Sequence, residues 1–583
     1  MRWWDGSWHA QCLGPGAGET LFDRADLFSS SALLLSGALE RESPVGLFAA
    51  GSHGAWDTPY QIGPGIERAS VWLDGQSTTG PAISEGLVHT LSPALLGRMR
   101  WVAPDPFLDP LAMAGDGVLW GETEDPVWTD IPSTLRMTDG PSGASAEDAM
   151  LARQAGAWRA LGSYAHGHAE GRVLYGPGRF QNLLFRLERS QRPAALRLTV
   201  ADRAGRYTLT ESRKMVWEAS QLSIGAQTSW GELQVSRRAD RLEWWGDGTD
   251  GRRRSKLWTA RLQIRRRMGP VMGLATGALE RCEFDWTTRR AGSADWTDTG
   301  TGLAIGVQGR GGLVTIGHAD PWWTDGHWRA HVHTSTGRTL PIRITVEGWT
   351  GRAPVFVPRL EPDGEATILE GLHFDVGGPD DGGPVRRSWH AELRAAVGGL
   401  EAGCFLRRLE NALGLDPDAG WHLRPTARLG SDLDSLLQSA TLTGGLLRLR
   451  FDLPLGAEIA GDATAVLRPA TRDLPLLVPA YRGRGVASVG GDLFRQDLFW
   501  EARLIGLFQG EWHTPVGDVP ARVRLDGELH GTIGRTHLFV ALRNVTALPN
   551  DAENWGESAT HDEGWMPLPG RGYEVGLEWH FLD

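Results

Sequence analysis

The sequence predicts an all-β protein: a large antiparallel transmembrane β-barrel of about 20–22 strands with a small N-terminal domain. Three observations carry this expectation. From about residue 155 onward, apolar and polar residues alternate in runs of about eight to ten, broken by Gly, Pro and Asp clusters, which is the strand-and-turn pattern. The last run, Tyr573 to Phe581, alternates without a break and stops almost at the C-terminus. No stretch reaches the roughly 18–20 continuous apolar residues of a membrane helix, so a span would have to be built of strands.

The first 135 residues differ, with weaker alternation, short apolar runs and many prolines. TLRMTDGPSGASAED, from Thr134 to Asp148, reads as a linker. The expected division is a small domain over residues 1–135, a linker over 136–154 and the barrel over 155–583.

Within the barrel region the two faces separate cleanly. Ala521, Val523, Leu525, Gly527 and Leu529 oppose Arg522, Arg524, Asp526, Glu528 and His530. Leu447, Leu449, Phe451 and Leu453 likewise oppose Arg448, Arg450 and Asp452. A soluble sandwich shows the same alternation. Strand length, charges of both signs on one face and Trp at strand ends favour the barrel. Polar segments such as Gly246 to Arg254, Thr287 to Gly300, Gly377 to Pro384 and Pro549 to Pro567 read as its long loops.

The net charge of -12 is spread along the chain and leaves no basic face for nucleic acid. The 27 Trp against 6 Tyr suit either membrane interfaces or sugar-binding surfaces. Cys12, Cys282 and Cys404 are an odd number at wide spacing, which excludes a disulfide framework and a zinc knuckle but leaves room for one disulfide. MRWWDGSWHAQC has neither a basic nor an apolar leader region, so an export signal is expected outside this sequence.

The final strand places Tyr573, Val575, Leu577, Trp579 and Phe581 outward and Glu574, Glu578 and His580 inward. It resembles the C-terminal signal by which outer-membrane barrels are recognised for assembly, although Leu582 and Asp583 follow the aromatic residue. Upstream, Ala521 to Pro549 is similar to the last hairpin of TonB-dependent receptors, with Arg543-Asn544-Val545-Thr546 at the turn entry. A second similarity lies at Val71 to Val102. There VWLDGQ and LSPALLGRMRWV resemble the plug of that family, which fills the barrel.

The resemblance implies a plug strand at Val71 to Leu73, a turn at Asp74 and Gly75, a short helix at Ser92 to Gly97, and strands at Arg98 to Val102 and Val118 to Trp120. Leu73, Asp74 and Gly75 are its plug-motif residues. It also implies outer-membrane lipid and the barrel-assembly machinery as partners, and it admits other outer-membrane or periplasmic proteins. The chain departs from the family in carrying Ala103-Pro104 and Gly115-Asp116-Gly117 where Arg-Gly-Pro and a Gly-rich segment are usual, and it shows no TonB box. TonB coupling therefore stays open.

Sites for chemistry are sparse. His327, His331 and His333 share one strand face and are the candidates for a metal, with His166 and His168 behind them, although a polar lumen takes histidines without any ligand. Asp247 and Asp250, or Asp375, Asp380 and Asp381, lack the full calcium-loop spacing. No nucleophile elbow, P-loop, zinc-protease or dinucleotide motif appears, so no enzyme activity and no cofactor are expected. Glu574 and Glu578 are i and i+4 on one strand, about 13 Å apart, too far for a glycosidase pair.

Three functions remain in view. The first is solute uptake through an outer-membrane barrel resembling a TonB-dependent receptor, with lumen-facing Arg448, Arg450, Arg522 and Arg524 beside Glu574 and Glu578 favouring anionic or polar solutes. The second is a barrel that anchors a larger assembly and transports nothing. The third is a secreted, Trp-rich, carbohydrate-binding all-β protein, which would line a groove with its Trp rings rather than form two belts.

Overall fold

The computed structural model describes residues 19–23, 35–42, 46–50, 56–60, 70–78, 91, 93–111, 117–123, 133–140, 143–169, 178–191, 194–208, 214–245, 250–288, 292–309, 311–321, 326–336, 342–354, 357–359, 373–375, 385–413, 437–467, 480–494, 497–510, 512–514, 517–519, 521–546 and 572–581. Cys12, Asp247, Asp380, Asp381 and the side chain of Arg522 lie outside them. So do Gly115, Asp116 and the segments 377–384 and 549–567.

From Ser133 to Phe581 the chain forms one closed antiparallel barrel of 22 strands. The final strand, Gly572–Phe581, pairs with Thr536–Arg543 on one side. On the other it pairs with Ser133–Asp139, from Val575 opposite Asp139 to Phe581 opposite Ser133. Closure removes every free sheet edge along the paired wall, which is what a strand-built membrane span requires.

The stretch 136–154, expected as a linker, is instead wall: Ser133–Asp139 and Ser145–Ala155 are the first two barrel strands. The barrel therefore begins about twenty residues before the expected start at 155. The segment 287–300 is likewise mostly strand, lying in Val271–Thr288 and Gly292–Gln308.

The outer face is apolar and exposed. In one cross-strand row Leu233, Leu262, Gly277 and Leu303 succeed one another. On Gly251–Met268 the outward residues run from Trp258 through Ala260, Leu262 and Ile264 to Arg266. The eight residue steps from Trp258 to Arg266 span roughly 20 Å at a 40° tilt, close to the height of a barrel's lipid band. Outward Trp residues fall at its two borders. Trp158, Trp230 and Trp579 lie toward one end, and Trp258, Trp328 and Trp389 toward the other; all are exposed except Trp258, which is partly so. Two belts are the interfacial arrangement rather than a sugar groove.

The ends of the barrel differ. At the end where the last strand finishes, successive strands are joined by two to four residues, with 336–342 the longest connection. At the other end the intervals reach 355–384, 414–436 and 544–571. Several short turns carry a left-handed glycine at their first position, as at Gly156 and Gly534 (φ 59° and 58°), the geometry a two-residue hairpin turn needs to match strand twist.

Residues before the barrel form an inner domain. Its elements are β1 (Glu19–Asp23), α1 (Leu35–Glu42), β2 (Gly46–Ala50), β3 (Trp56–Tyr60), β4 (Ser70–Leu73), β5 (Gln76–Ser77), β6 (Leu96–Val102) and β7 (Val118–Thr123). Five of them make a sheet in the order β1-β6-β7-β4-β5, with β4 and β7 parallel. Leu35, Ala38 and Leu39 of α1 cover it through Val71, Met99 and Leu119. The strands follow the sequence expectation, and the expected helix is a single 3-10 turn, Pro93–Leu95, because the chain is already extended at Leu96.

Candidate functional site: the inner domain against the barrel wall

The inner sheet sits inside the barrel, since its polar contacts reach inward-facing side chains on several sectors of the wall. The hairpin tip comes first. Asp74 and Gly75 turn β4 into β5 with positive φ at both (50° and 82°), the form that Asp-Gly favours. The Asp74 carboxylate accepts from the Thr123 N–H at 2.9 Å and the Thr123 hydroxyl at 2.8 Å, and pairs with Arg186 of the wall at 3.2 Å. Arg238 donates to the Ser77 carbonyl at 2.7 Å, and Arg203 to that of Thr78.

The second contact is the segment after β6, from Asp105 to Leu111. Asp105 is 1% exposed and accepts from the Phe107 N–H at 2.8 Å and the Thr315 hydroxyl at 2.9 Å. His331 Nδ1 lies 3.1 Å from Asp105 Oδ2, while its Nε2 lies 3.2 Å from Glu347 Oε1. Two acceptors at one imidazole suit a ring carrying hydrogen on both nitrogens. Gln263 and Arg261 donate to the carbonyls of Phe107 and Leu108 at 3.2 and 3.3 Å, and Arg329 to that of Asp109. The segment also lies flush on Gly302, where an added Cβ would come within 2.0 Å of the Pro110 carbonyl oxygen.

The third contact is α1. Arg41, 3% exposed, reaches Glu574 at 3.5 Å and Glu528 at 4.0 Å, and its carbonyl accepts from Arg484 at 2.9 Å. Arg543 joins Glu574 (2.6 Å) and Asp526 (3.5 Å) in the same buried cluster. Between these polar fastenings lie apolar patches: Leu95 against Met150, Leu161 and Leu184, and Phe107 and Leu108 against Leu274 and Leu313.

Charge and burial act against each other at these carboxylates. Burial pushes Asp105 upward, but hydrogen bonds from His331, Phe107 and Thr315 more than compensate and hold it below the ordinary carboxylate value of 3.8. For Asp74 burial is again opposed, by the Arg186 and Arg197 charges and the two Thr123 bonds, with the same net direction. A carboxyl with a depressed folded-state pKa stabilises the fold above its unfolded value, and the contribution fades as pH falls through the folded value. Wild type should therefore protect inner-domain amides from hydrogen exchange better than D74N/D105N at pH 6. The gap should narrow once the pH drops below about 4. A gap independent of pH would show that ionisation at these sites is not what fastens the domain.

The other sequence-named residues fall as follows. His327, His331 and His333 are all buried on the inner face, His331 between two carboxylates and His333 with Nδ1 4.0 Å from Glu347. Among the described residues no group of three or more His, Cys, Asp or Glu side chains is placed to hold a metal. Arg524, Glu574 and Glu578 are buried inside, whereas Arg450 faces the same way near the short-turn mouth and is largely exposed. The arginines come matched: Arg448 with Glu401 at 3.5 Å, Arg450 with Glu458 at 3.0 Å and Arg524 with Asp526 at 2.8 Å. Tyr573 and Trp579 are exposed on the outer face, with Val575, Leu577 and Phe581 partly so. His166 and His168 also face outward, where His168 Nδ1 meets the Ser145 hydroxyl at 2.9 Å.

Sequence reasoning did not find Asp105, Arg186 or Arg41. A lone Asp directly after Val-Ala-Pro and a helix arginine carry no periodic signal.

No protein-family model matches the chain, and no curated protein sequence matches it. Solved structures do match over essentially the full length. The siderophore receptor PirA from Acinetobacter baumannii superposes with a TM-score of 0.71 at 11% identity, covering 98% of this chain and 99% of that one. The ferric yersiniabactin uptake receptor FyuA from Yersinia pestis gives 0.69 at 12%, covering 97% and 98%. The unliganded ferric citrate transporter FecA gives 0.71 at 11%, covering 100% of both. The chain has the fold of TonB-dependent receptors, inner domain included.

Proposed function

We propose that this protein is an outer-membrane receptor that takes up a solute across that membrane, with the inner domain as its plug. The observation that carries this reading is the way the barrel is filled. The plug is fastened to a polar wall by a small number of ion pairs and carbonyl contacts at Asp74, Asp105 and Arg41, separated by modest apolar patches. Such contacts can be exchanged for water one set at a time, as a plug that opens and recloses needs.

Receptors and transporters of the same fold handle ferric siderophores, ferric citrate or copper by their names, which makes a chelated metal the first solute class to test. The matched charges at Arg448, Arg450 and Arg524 weaken the expectation of a simple anion-selective lumen, because each guanidinium field is largely cancelled by its carboxylate.

A strain lacking the gene should accumulate less of one labelled ferric siderophore or copper, with recovery on complementation, and the protein should fractionate with the outer membrane and migrate heat-modifiably. Recovery in the soluble fraction would sink the reading. Unchanged accumulation of every chelate, with the protein correctly in the outer membrane, would move the weight to the anchoring barrel.

A further inference from the structure

The plug does not fill the barrel evenly. Along Lys214–Thr228 the inward residues Trp217, Ala219, Ser223 and Gln227 are buried, almost to the short-turn end, and Gln221 between them is partly exposed while meeting Gln76 of the plug. On the opposite wall the inward residues of Ala457–Leu467, namely Glu458, Ala460, Asp462 and Thr464, are all partly exposed. In Tyr481–Leu493 the same holds for Arg484, Val486, Ser488 and Gly490, and the series ends on exposed Asp492 at the mouth. Cross-strand register joins them into one surface, with Ala460 opposite both Arg450 and Val486, and Ser488 opposite Glu458 and Arg503. Higher on this wall the inward side chains turn apolar and buried at Leu442, Leu446 and Val466.

We propose that this surface bounds a water-filled crevice between plug and wall, open at the short-turn end and closed above by the collar Leu442, Leu446 and Val466, and that solute leaves along it. The inference rests on the uptake reading and adds its exit route. The lining is charge-balanced: Arg450 with Glu458 at 3.0 Å, Arg484 with Asp462 at 3.0 Å, and Arg503 with Glu528 at 3.6 Å. Small side chains at Ala460, Ser488 and Gly490 leave width beside these pairs. Such a lining passes compact polar solutes with little preference for the sign of their charge, and an apolar collar keeps the resting path dry.

The test uses the full chain with Cys12, Cys282 and Cys404 replaced by serine, its fold checked by heat-modifiable migration. Ser488→Cys should react with sulfonatoethyl methanethiosulfonate at least roughly tenfold faster than Ser223→Cys, which is 2% exposed and must wait for local opening. In proteoliposomes, Val466→Ser, alone or with Leu442→Ser, should speed arabinose influx several-fold. Polyethylene-glycol maleimide on Ser488→Cys should abolish that gain, whereas the same label on Arg267→Cys, exposed at the short-turn end of another sector, should not. Equal reaction rates at positions 488 and 223 would overturn the crevice. A reactive position 488 with no collar-dependent influx, or influx indifferent to its label, would overturn the exit route while leaving outer-membrane uptake by plug rearrangement standing.

Discussion

Replacing Arg136 by alanine should cost the barrel about 3–5 kcal/mol, the usual result of leaving one partner of a buried ion pair alone. Arg136 stands on the first strand and Glu578 on the last, directly opposite in register, with Nη1 to Oε2 at 2.9 Å. Arg136 is 2% exposed and Glu578 0%. The pair therefore crosses the seam where chain ends meet, and no covalent turn joins these two strands. That seam has seven paired residues, against eighteen between Gly251–Met268 and Val271–Thr288.

Arg136 also lies over the Phe539 ring, 5.8 Å from its centroid, so the truncation removes packing as well as charge. His580, 3.0 Å from the other Glu578 oxygen, is a weaker substitute because its long axis runs along the same strand rather than across the seam. The expected readout is a fall in the urea concentration or temperature at which the heat-modifiable band is lost. R136M/E578M should recover most of it, since two apolar side chains of similar volume leave no charge behind. Single and double variants of equal stability would show that the pair is not what holds the seam.

This seam shows how unevenly the fold can be read from sequence. The last strand was legible because Tyr573, Val575, Leu577 and Trp579 alternate with Glu574, Glu578 and His580, a contrast that lipid outside and a polar lumen inside impose. Its partner Ser133–Asp139 and the strand after it, Ser145–Ala155, were not. On Ser145–Ala155 the inward residues are Ala146, Asp148, Met150 and Ala152 while Glu147 and Arg153 point outward, so the contrast is inverted where the wall packs on Leu95 of the plug. Add Gly140, Pro141, Ser142 and Gly143 between the two strands, and local propensity reads as linker.

The Asp74-Gly75 turn was legible through the resemblance of VWLDGQ to a plug strand and its turn, and the positive φ found at both positions is the form that Asp-Gly supplies. Its fastening to Arg186 was not, nor was Asp105 with His331, which are 226 residues apart in the chain. The histidine triplet looked like a metal candidate because alternation put three imidazoles on one face. What the sequence could not show is that a plug carboxylate and Glu347 would take both nitrogens of the central ring.

A single charge on the outer face should separate a membrane barrel from a soluble sheet protein more sharply than any fractionation. Leu262 lies midway between Trp258 and Arg266 on its strand, is 42% exposed, and neighbours Leu233 in register, itself 48% exposed. In water such side chains are ordinary surface, and leucine to arginine there changes stability by about 0.5 kcal/mol or less. At the middle of a lipid band, arginine must be desolvated or drag water and headgroups inward, which costs about 2–4 kcal/mol on a barrel wall. Leu262→Arg and Leu233→Arg should therefore each lower the unfolding midpoint in lipid vesicles by that amount. An arginine at Thr299, beside Arg281 at the polar border of the same sector, should be close to neutral. If all three substitutions proved equally mild, the apolar band would not be facing lipid. The outward Trp belts at Trp158, Trp230 and Trp579 and at Trp258, Trp328 and Trp389 would then need another surface to meet.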